Sequence, residues 1–204
     1  MLRNVASVLL LAGVCVLLAA CGDRPKIARL PPEAVVLAFG DSLTFGTGAN
    51  EASSYPSQLE RLIGRRVVRA GVPGEVSSAG LARLPQLLEE HHPELVILIH
   101  GGNDFLRRLA KNQAAGNLRA MVKLARDKGI AVVIVGVPEP GLLVSTVGFY
   151  ADIAEELHLP YEGGILSTVL RNNALKSDLV HPNAEGYRKV AEALAQLLKE
   201  AGAI

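Results

Sequence analysis

Ala34-Val35-Val36-Leu37-Ala38-Phe39-Gly40-Asp41-Ser42-Leu43-Thr44 begins as an unbroken apolar run and ends in a turn. A short apolar stretch of this kind, bounded by Gly and Asp, reads as a buried strand, here Ala34–Phe39. A serine stands where the strand gives way. In an open α/β sheet that place, outside the carboxyl end of a strand, is where ligands and reactive groups collect. Ser42 is therefore read as a nucleophile.

Downstream, strand and helix patterns alternate. Tyr55, Leu59, Leu62 and Ile63 recur at helical spacing over Ser53–Ile63, with Pro56 suited to a first turn and Gly64 as a stop. Val67–Ala70 reads as a second strand, ended by Gly71-Val72-Pro73-Gly74. A helix capped by Ser77 or Ser78 follows, with Leu81, Leu84 and Leu88 on one face and Pro85 as a local irregularity. Leu95-Val96-Ile97-Leu98-Ile99 is the plainest strand, apolar throughout, as in a parallel strand covered on both faces. It runs into His100-Gly101-Gly102-Asn103-Asp104. A helix over 113–128, a strand over 130–137 and a helix over 147–157 come next. A short extended piece near Leu159-Pro160-Tyr161 precedes Gly163-Gly164 and a helical turn. The last helix, about Asn183–Glu200, places Tyr187, Val190, Leu194, Leu197 and Leu198 on one face. Such alternation predicts one α/β domain over 34–204, a doubly wound parallel sheet of about five strands with right-handed crossovers.

The 204 residues include 20 Gly, 11 Pro and no Trp, and half are hydrophobic, enough for one domain with a sizeable core. Lys and Arg number 21 against 20 Asp and Glu; without Arg3 the balance is 20 to 20. No basic run has the density that nucleic acid binding needs. Residues 1–20 combine Arg3 with an apolar run, Val5–Leu18, too short for an ordinary membrane span. They end in Leu18-Ala19-Ala20-Cys21, which resembles the lipobox of a bacterial lipoprotein signal peptide, implying cleavage before Cys21 and diacylation of its thiol. Gly22 after the cysteine points to the outer membrane, facing the periplasm. A simple anchor helix or an ordinary secretory signal is the alternative. Residues 21–33, with Pro25, Pro31 and Pro32, read as a tether. Cys15 lies inside the signal, so the mature domain has no second cysteine for a disulfide or a thiolate nucleophile.

The strand ends bring chemistry to one edge: Ser42 after the first, Gly74 after the second, Asn103 after the third, and Asp178 and His181 on a late loop. A serine hydroxyl attacks only once a base accepts its proton, and His is best poised for that near neutral pH. Asp178 supplies an acceptor to hold the imidazole in one tautomer. The oxyanion of a tetrahedral intermediate needs preorganised donors. The backbone N–H groups of Ser42 and Gly74 and the Asn103 side-chain amide are the candidates.

Gly40-Asp41-Ser42-Leu43, Gly74, Gly102-Asn103-Asp104 and Asp178-Leu179-Val180-His181-Pro182 follow the order of the four blocks of the SGNH (GDSL) hydrolases, and the chain resembles that family from about Val35 to the last helix. Gly80-Leu81-Ala82-Arg83-Leu84-Pro85 and Gly101-Gly102-Asn103-Asp104 look most like its bacterial thioesterase I/lysophospholipase/arylesterase group. The resemblance implies a three-layer, flavodoxin-like fold. It also implies a serine esterase acting on small-molecule or lipid acyl esters without metal or cofactor. Ser42 would be nucleophile, His181 base and Asp178 its orienting acid, with an oxyanion hole of Ser42, Gly74 and Asn103. The loop after Asn103 lines the acyl pocket in such relatives, so Phe105 and Leu106 are expected to bind substrate. The chain departs from the group at Val72-Pro73-Gly74-Glu75-Val76, at the bulky Phe105-Leu106-Arg107-Arg108-Leu109 and over 138–150.

Other residues have blander readings. Asp41 and Asp104 are expected to brace loops through local backbone N–H groups. His91-His92 reads as a solvated helix end, His100 as a packing or hydrogen-bonding residue, and His158 as structural. No His, Asp or Glu spacing resembles a zinc site. The turn after the first strand lacks Gly-x-Gly-x-x-Gly, against a dinucleotide site, and no Gly-x-Ser-x-Gly surrounds Ser42, against an α/β-hydrolase elbow. Two alternatives to the acyl esterase stand: a carbohydrate O-deacetylase of the same fold, and a non-catalytic envelope lipoprotein. A monomer is expected.

Overall fold

Apolar runs covered on both sides dictate the centre of the molecule. In the computed structural model, which describes residues 25–141 and 144–204, β1 (Val35–Gly40) is buried from Val36 onward. The signal peptide read over 1–20, Cys15, the lipidation site Cys21 and the tether as far as residue 24 lie outside the described residues. After β1 come α1 (Ser42–Phe45), α2 (Tyr55–Ile63), β2 (Arg66–Gly71), α3 (Ser77–His91) and β3 (Leu95–Ile99). Then follow α4 (Gly102–Leu106), α5 (Lys111–Arg126), β4 (Ala131–Val135), β5 (Pro138–Glu139) and β6 (Ser145–Thr146). The chain closes with α6 (Phe149–Glu156), β7 (Tyr161–Glu162), α7 (Ile165–Arg171) and α8 (Ala184–Glu200).

Five strands form a parallel sheet in the order β2-β1-β3-β4-β7. That is the flavodoxin-like order, with the reversal of winding between β1 and β3. β1 pairs with both neighbours, Val36 opposite Val67 on one side and Leu95 on the other. All five residues of β3 are buried, which is why its sequence is continuous rather than alternating. α3 packs with α5 and α2 packs with α8 on the two sides of the sheet, giving the expected three layers.

Strands and long helices fall within a few residues of their sequence-based positions. Three short elements were not anticipated: α1, α4 and the antiparallel β5–β6 hairpin. Helices of four or five residues complete little more than one turn, so they leave no periodicity to read.

Part of the expected tether is docked on the domain. Ile27 and Leu30 are buried in the core, and their N–H groups donate to Ala201 and Ala203 carbonyls at 2.9 and 2.8 Å. This docking is at the end of α8, a helix of 17 residues and so about 25 Å long. α8 starts three residues after His181, so residues 27–30 sit at the edge of the sheet opposite the site. Among the described residues no helix is long and apolar enough to cross a membrane.

Candidate active site

β1 ends at Gly40, and Asp41 caps the short helix that follows. Its buried carboxylate accepts the Leu43 N–H at 3.0 Å. Burial pushes the Asp41 carboxyl above the ordinary Asp range, although His100 and the Leu43 N–H act in the other direction. This cap leaves Ser42 as the first residue of α1, at the winding reversal between β1 and β3, with its side chain half-buried.

The loop between α7 and α8 brings the base to it. Lys176 and Pro182 form an isolated antiparallel bridge, and the Ser177 N–H donates to the His181 carbonyl at 2.9 Å. Within this closed loop Asp178 Oδ1 accepts the N–H groups of Val180 and His181 at 2.8 and 2.9 Å. Its Oδ2 lies 2.8 Å from His181 Nδ1, and His181 Nε2 lies 2.9 Å from Ser42 Oγ. Burial would raise the Asp178 carboxyl, but the hydrogen bonds from His181 and the two backbone N–H groups hold it below the usual range. An ionised Asp178 accepts Nδ1–H, so Nε2 is left unprotonated toward the serine. The proton of Ser42 thus has an acceptor.

The candidate oxyanion donors converge from separate loops. Gly74 has φ +77°, a left-handed conformation that favours glycine. Its turn is closed by Glu75 N–H to Val72 carbonyl at 3.2 Å, and its carbonyl accepts Arg107 Nη2 at 2.7 Å. No acceptor among the described residues takes the N–H of Gly74 or that of Ser42. Asn103, in the first turn of α4, donates from Nδ2 to the Glu75 carbonyl at 3.0 Å and to Asp41 Oδ2 at 3.3 Å. Ser42, Gly74, Asn103 and His181 all line one cavity of about 570 Å³. Its far wall is largely apolar and draws on Val137, Pro138 and Val144 around the β5–β6 hairpin and on Leu170 of α7.

One expected substrate contact is corrected. Phe105 is turned inward, 6% exposed, with its ring centroid 6.0 Å from that of Phe149 and 6.5 Å from that of Tyr150. It does not line the cavity. Leu106, the next residue on α4, does line it and is 52% exposed. Apolar neighbours on α6 capture the larger ring, and the helix then turns Leu106 outward. Val72 and Leu109 are exposed outside the cavity.

Asp104 braces a distant element rather than its own loop. Asp104 is buried and accepts both the N–H and the hydroxyl of Ser77, at 2.8 and 2.7 Å, bracing the start of α3. His91 lies 3.7 Å from Glu90 at the end of α3. Among the described residues no three His, Cys, Asp or Glu side chains gather as a metal site.

What the sequence did not disclose is the support behind the donors. Glu75 pairs with both Arg83 and His100, and the Tyr150 hydroxyl donates to the His100 carbonyl at 2.6 Å. The only signal was the Glu75 departure itself.

Comparisons with known proteins assign the family and the fold. Residues 38–189 match the GDSL-like lipase/acylhydrolase family. The esterase TesA of Pseudomonas aeruginosa is 34% identical over 129 residues, 61% of this chain and 64% of that one. An arylesterase of Vibrio mimicus is 32% identical over 174 residues, 80% of this chain and 87% of that one. A crystal structure of TesA superposes with a TM-score of 0.73 at 28% identity, covering 82% of this chain and 99% of the other. The chain belongs to the GDSL-like lipase/acylhydrolase family of carboxylic ester hydrolases.

Proposed function

We propose that this protein is a serine esterase that hydrolyses acyl esters through Ser42, His181 and Asp178 and an acyl-enzyme intermediate, with arylesterase, lysophospholipase or thioesterase-like substrates. The observation that carries the reading is the unbroken Asp178–His181–Ser42 relay, 2.8 and 2.9 Å, at the mouth of an apolar-walled cavity. His181 Nε2 takes the Ser42 proton as Oγ attacks the acyl carbon. The new oxyanion meets the Ser42 and Gly74 N–H groups and the Asn103 amide, which turns one hydrogen from Asp41 Oδ2 toward it while the other stays on the Glu75 carbonyl. His181 then protonates the leaving alkoxide or thiolate, and a water activated by the same base releases the acid.

A wall built from Val137, Val144, Leu170 and Leu179 suits an acyl chain better than a sugar, which favours the acyl ester over the carbohydrate O-deacetylase. The test pairs a fluorophosphonate probe with p-nitrophenyl esters from acetyl to palmitoyl and one thioester. Labelling and turnover that both vanish in Ser42→Ala are expected. Retention of either in that variant removes Ser42 from the mechanism.

The envelope address is part of the same proposal: a monomer held by lipidation at Cys21, facing the periplasm. Docking of residues 27–30 opposite the site would then turn the cavity mouth away from the anchoring leaflet. Radiolabelled palmitate should enter the full chain expressed in bacteria and be absent from Cys21→Ser; equal labelling of both would remove the anchor.

A further inference from the structure

Three polar side chains behind the candidate oxyanion donors take no part in the proposed reaction, and none of them lines the cavity. Glu75 is the centre. Arg83 of α3 donates to it in a fork, Nε to Oε1 at 2.9 Å and Nη2 to Oε2 at 2.7 Å. His100, fully buried at the end of β3, lies with Nε2 3.1 Å from Oε2. His100 Nδ1 accepts the Gly101 N–H at 2.9 Å, so the ring proton is on Nε2 and is donated to Glu75. Held by these partners against the cost of burial, the Glu75 carboxyl falls to about 2.

Each partner is tied to the scaffold. The Arg83 guanidinium lies 4.5 Å from the ring centroid of Phe39 on β1 and reaches the Ala70 carbonyl of β2 at 3.2 Å. Gly80 on α3 passes so close to His100 that a Cβ there would stand 2.3 Å from Nε2. The main chain of Glu75, meanwhile, belongs to the oxyanion side. It follows Gly74 directly, and its carbonyl holds the Asn103 amide at 3.0 Å. One residue therefore fastens the two donor loops to the sheet.

We infer that Glu75 is a positioning residue: its bridge between Arg83 and His100 sets the Gly74 N–H and the Asn103 amide relative to Ser42. The inference rests on the esterase reading above. Preorganised donors act only where they meet the developing charge, and misplacing a site group by about 1 Å can cost on the order of 10²-fold. Charge-assisted hydrogen bonds from two directions hold the Gly74–Glu75 peptide more firmly than the turn alone.

The experiment compares Glu75→Gln, His100→Leu and His100→Gln with the wild type, counting active sites by fluorophosphonate labelling and recording Tm. Glu75→Gln and His100→Leu should lower kcat per labelled site roughly 10- to 100-fold, with KM within about threefold. The rate of labelling should fall in parallel. His100→Gln, whose amide can still donate to Glu75, should recover most of the loss. A purely structural bridge would lower Tm and the number of labelled sites but leave kcat per site within about twofold of wild type, and that result overturns the inference. If Glu75→Gln does not fold, the His100 pair decides, since equal kcat values in Leu and Gln also overturn it. A wild type that neither labels nor turns over ester would instead sink the esterase reading, and this inference with it.

Discussion

Asparagine at position 178 should be worse than alanine, and the hydrogen bonds of the loop say why. Asp178 Oδ1 accepts two backbone N–H groups, from Val180 and His181, while Oδ2 faces His181 Nδ1. In Asp178→Asn the amide oxygen stays with the two backbone donors, so the NH₂ group is aimed at Nδ1. Nδ1 becomes an acceptor, the ring proton moves to Nε2, and Ser42 faces a donor instead of a base. Turning the amide over would restore the tautomer but break both backbone bonds. At about 1–1.5 kcal/mol each they disfavour that state by about 2–3 kcal/mol, roughly 30- to 150-fold in population. Loss of the charge that stabilises the imidazolium adds to this, for a fall in kcat of about 10³-fold or more. Asp178→Ala imposes no tautomer, and water can reach the space because the carboxylate is 51% exposed. It should keep about tenfold more activity than the asparagine variant, within the range that triad deletions allow. Steady-state hydrolysis of a p-nitrophenyl ester, corrected for labelled sites, measures the order. Asparagine equal to or better than alanine would refute the tautomer argument.

Three further outcomes follow from the same geometry. Asn103→Ala should lower kcat by about 10²–10³-fold with little change in KM, read by the same assay; a loss confined to KM would place Asn103 in ground-state binding. Phe105→Ala should destabilise by about 3–5 kcal/mol as a buried ring is lost, whereas Leu106→Ala should barely move Tm and should raise KM for long-chain esters; the reverse pattern would undo the assignment of their faces. Acid should unfold the wild type more steeply than Glu75→Gln. Glu75 has a folded pKa of about 2 against 4.5, so its contribution is present above the unfolded value and lost as pH falls toward the folded one. Asp178, also lowered, acts in the same sense, and Asp41, raised, in the opposite one. Subtracting the two urea-unfolding curves between pH 5 and 2 isolates Glu75, and parallel curves would mean its bridge contributes nothing to stability.

Much of the fold was legible because its signals are local. Leu95–Ile99 is a strand in sequence and structure alike, since five consecutive apolar residues suit only a segment covered on both faces. The last helix was legible from Tyr187, Val190 and Leu194, which recur over enough turns to show a face. Ser42, Gly74, Asn103, Asp178 and His181 could be named because each stands at a strand end or on one late loop, and parallel strands deliver such loops to a common edge. The hairpin Pro138–Thr146 was not legible, because strands of two residues carry no pattern.

Facing and partnership were decided in three dimensions. Phe105 and Leu106 are adjacent apolar residues on a single helical turn, and only the rings of Phe149 and Tyr150 decide which of them is buried. Ile27 and Leu30 sit among prolines and charges in a stretch that reads as a tether, yet the end of α8 offers them carbonyls and a place in the core. Glu75 and His100 are 25 residues apart and meet because the loops after β2 and β3, on either side of β1, open on one edge of the sheet, where α3 brings Arg83 to Glu75. Sequence determined the elements and the order of the reactive groups, because apolar period and turn chemistry act over a few residues. Tertiary structure alone decided which buried charges meet behind the oxyanion donors, because Coulomb forces and hydrogen bonds depend on distance in space and not along the chain.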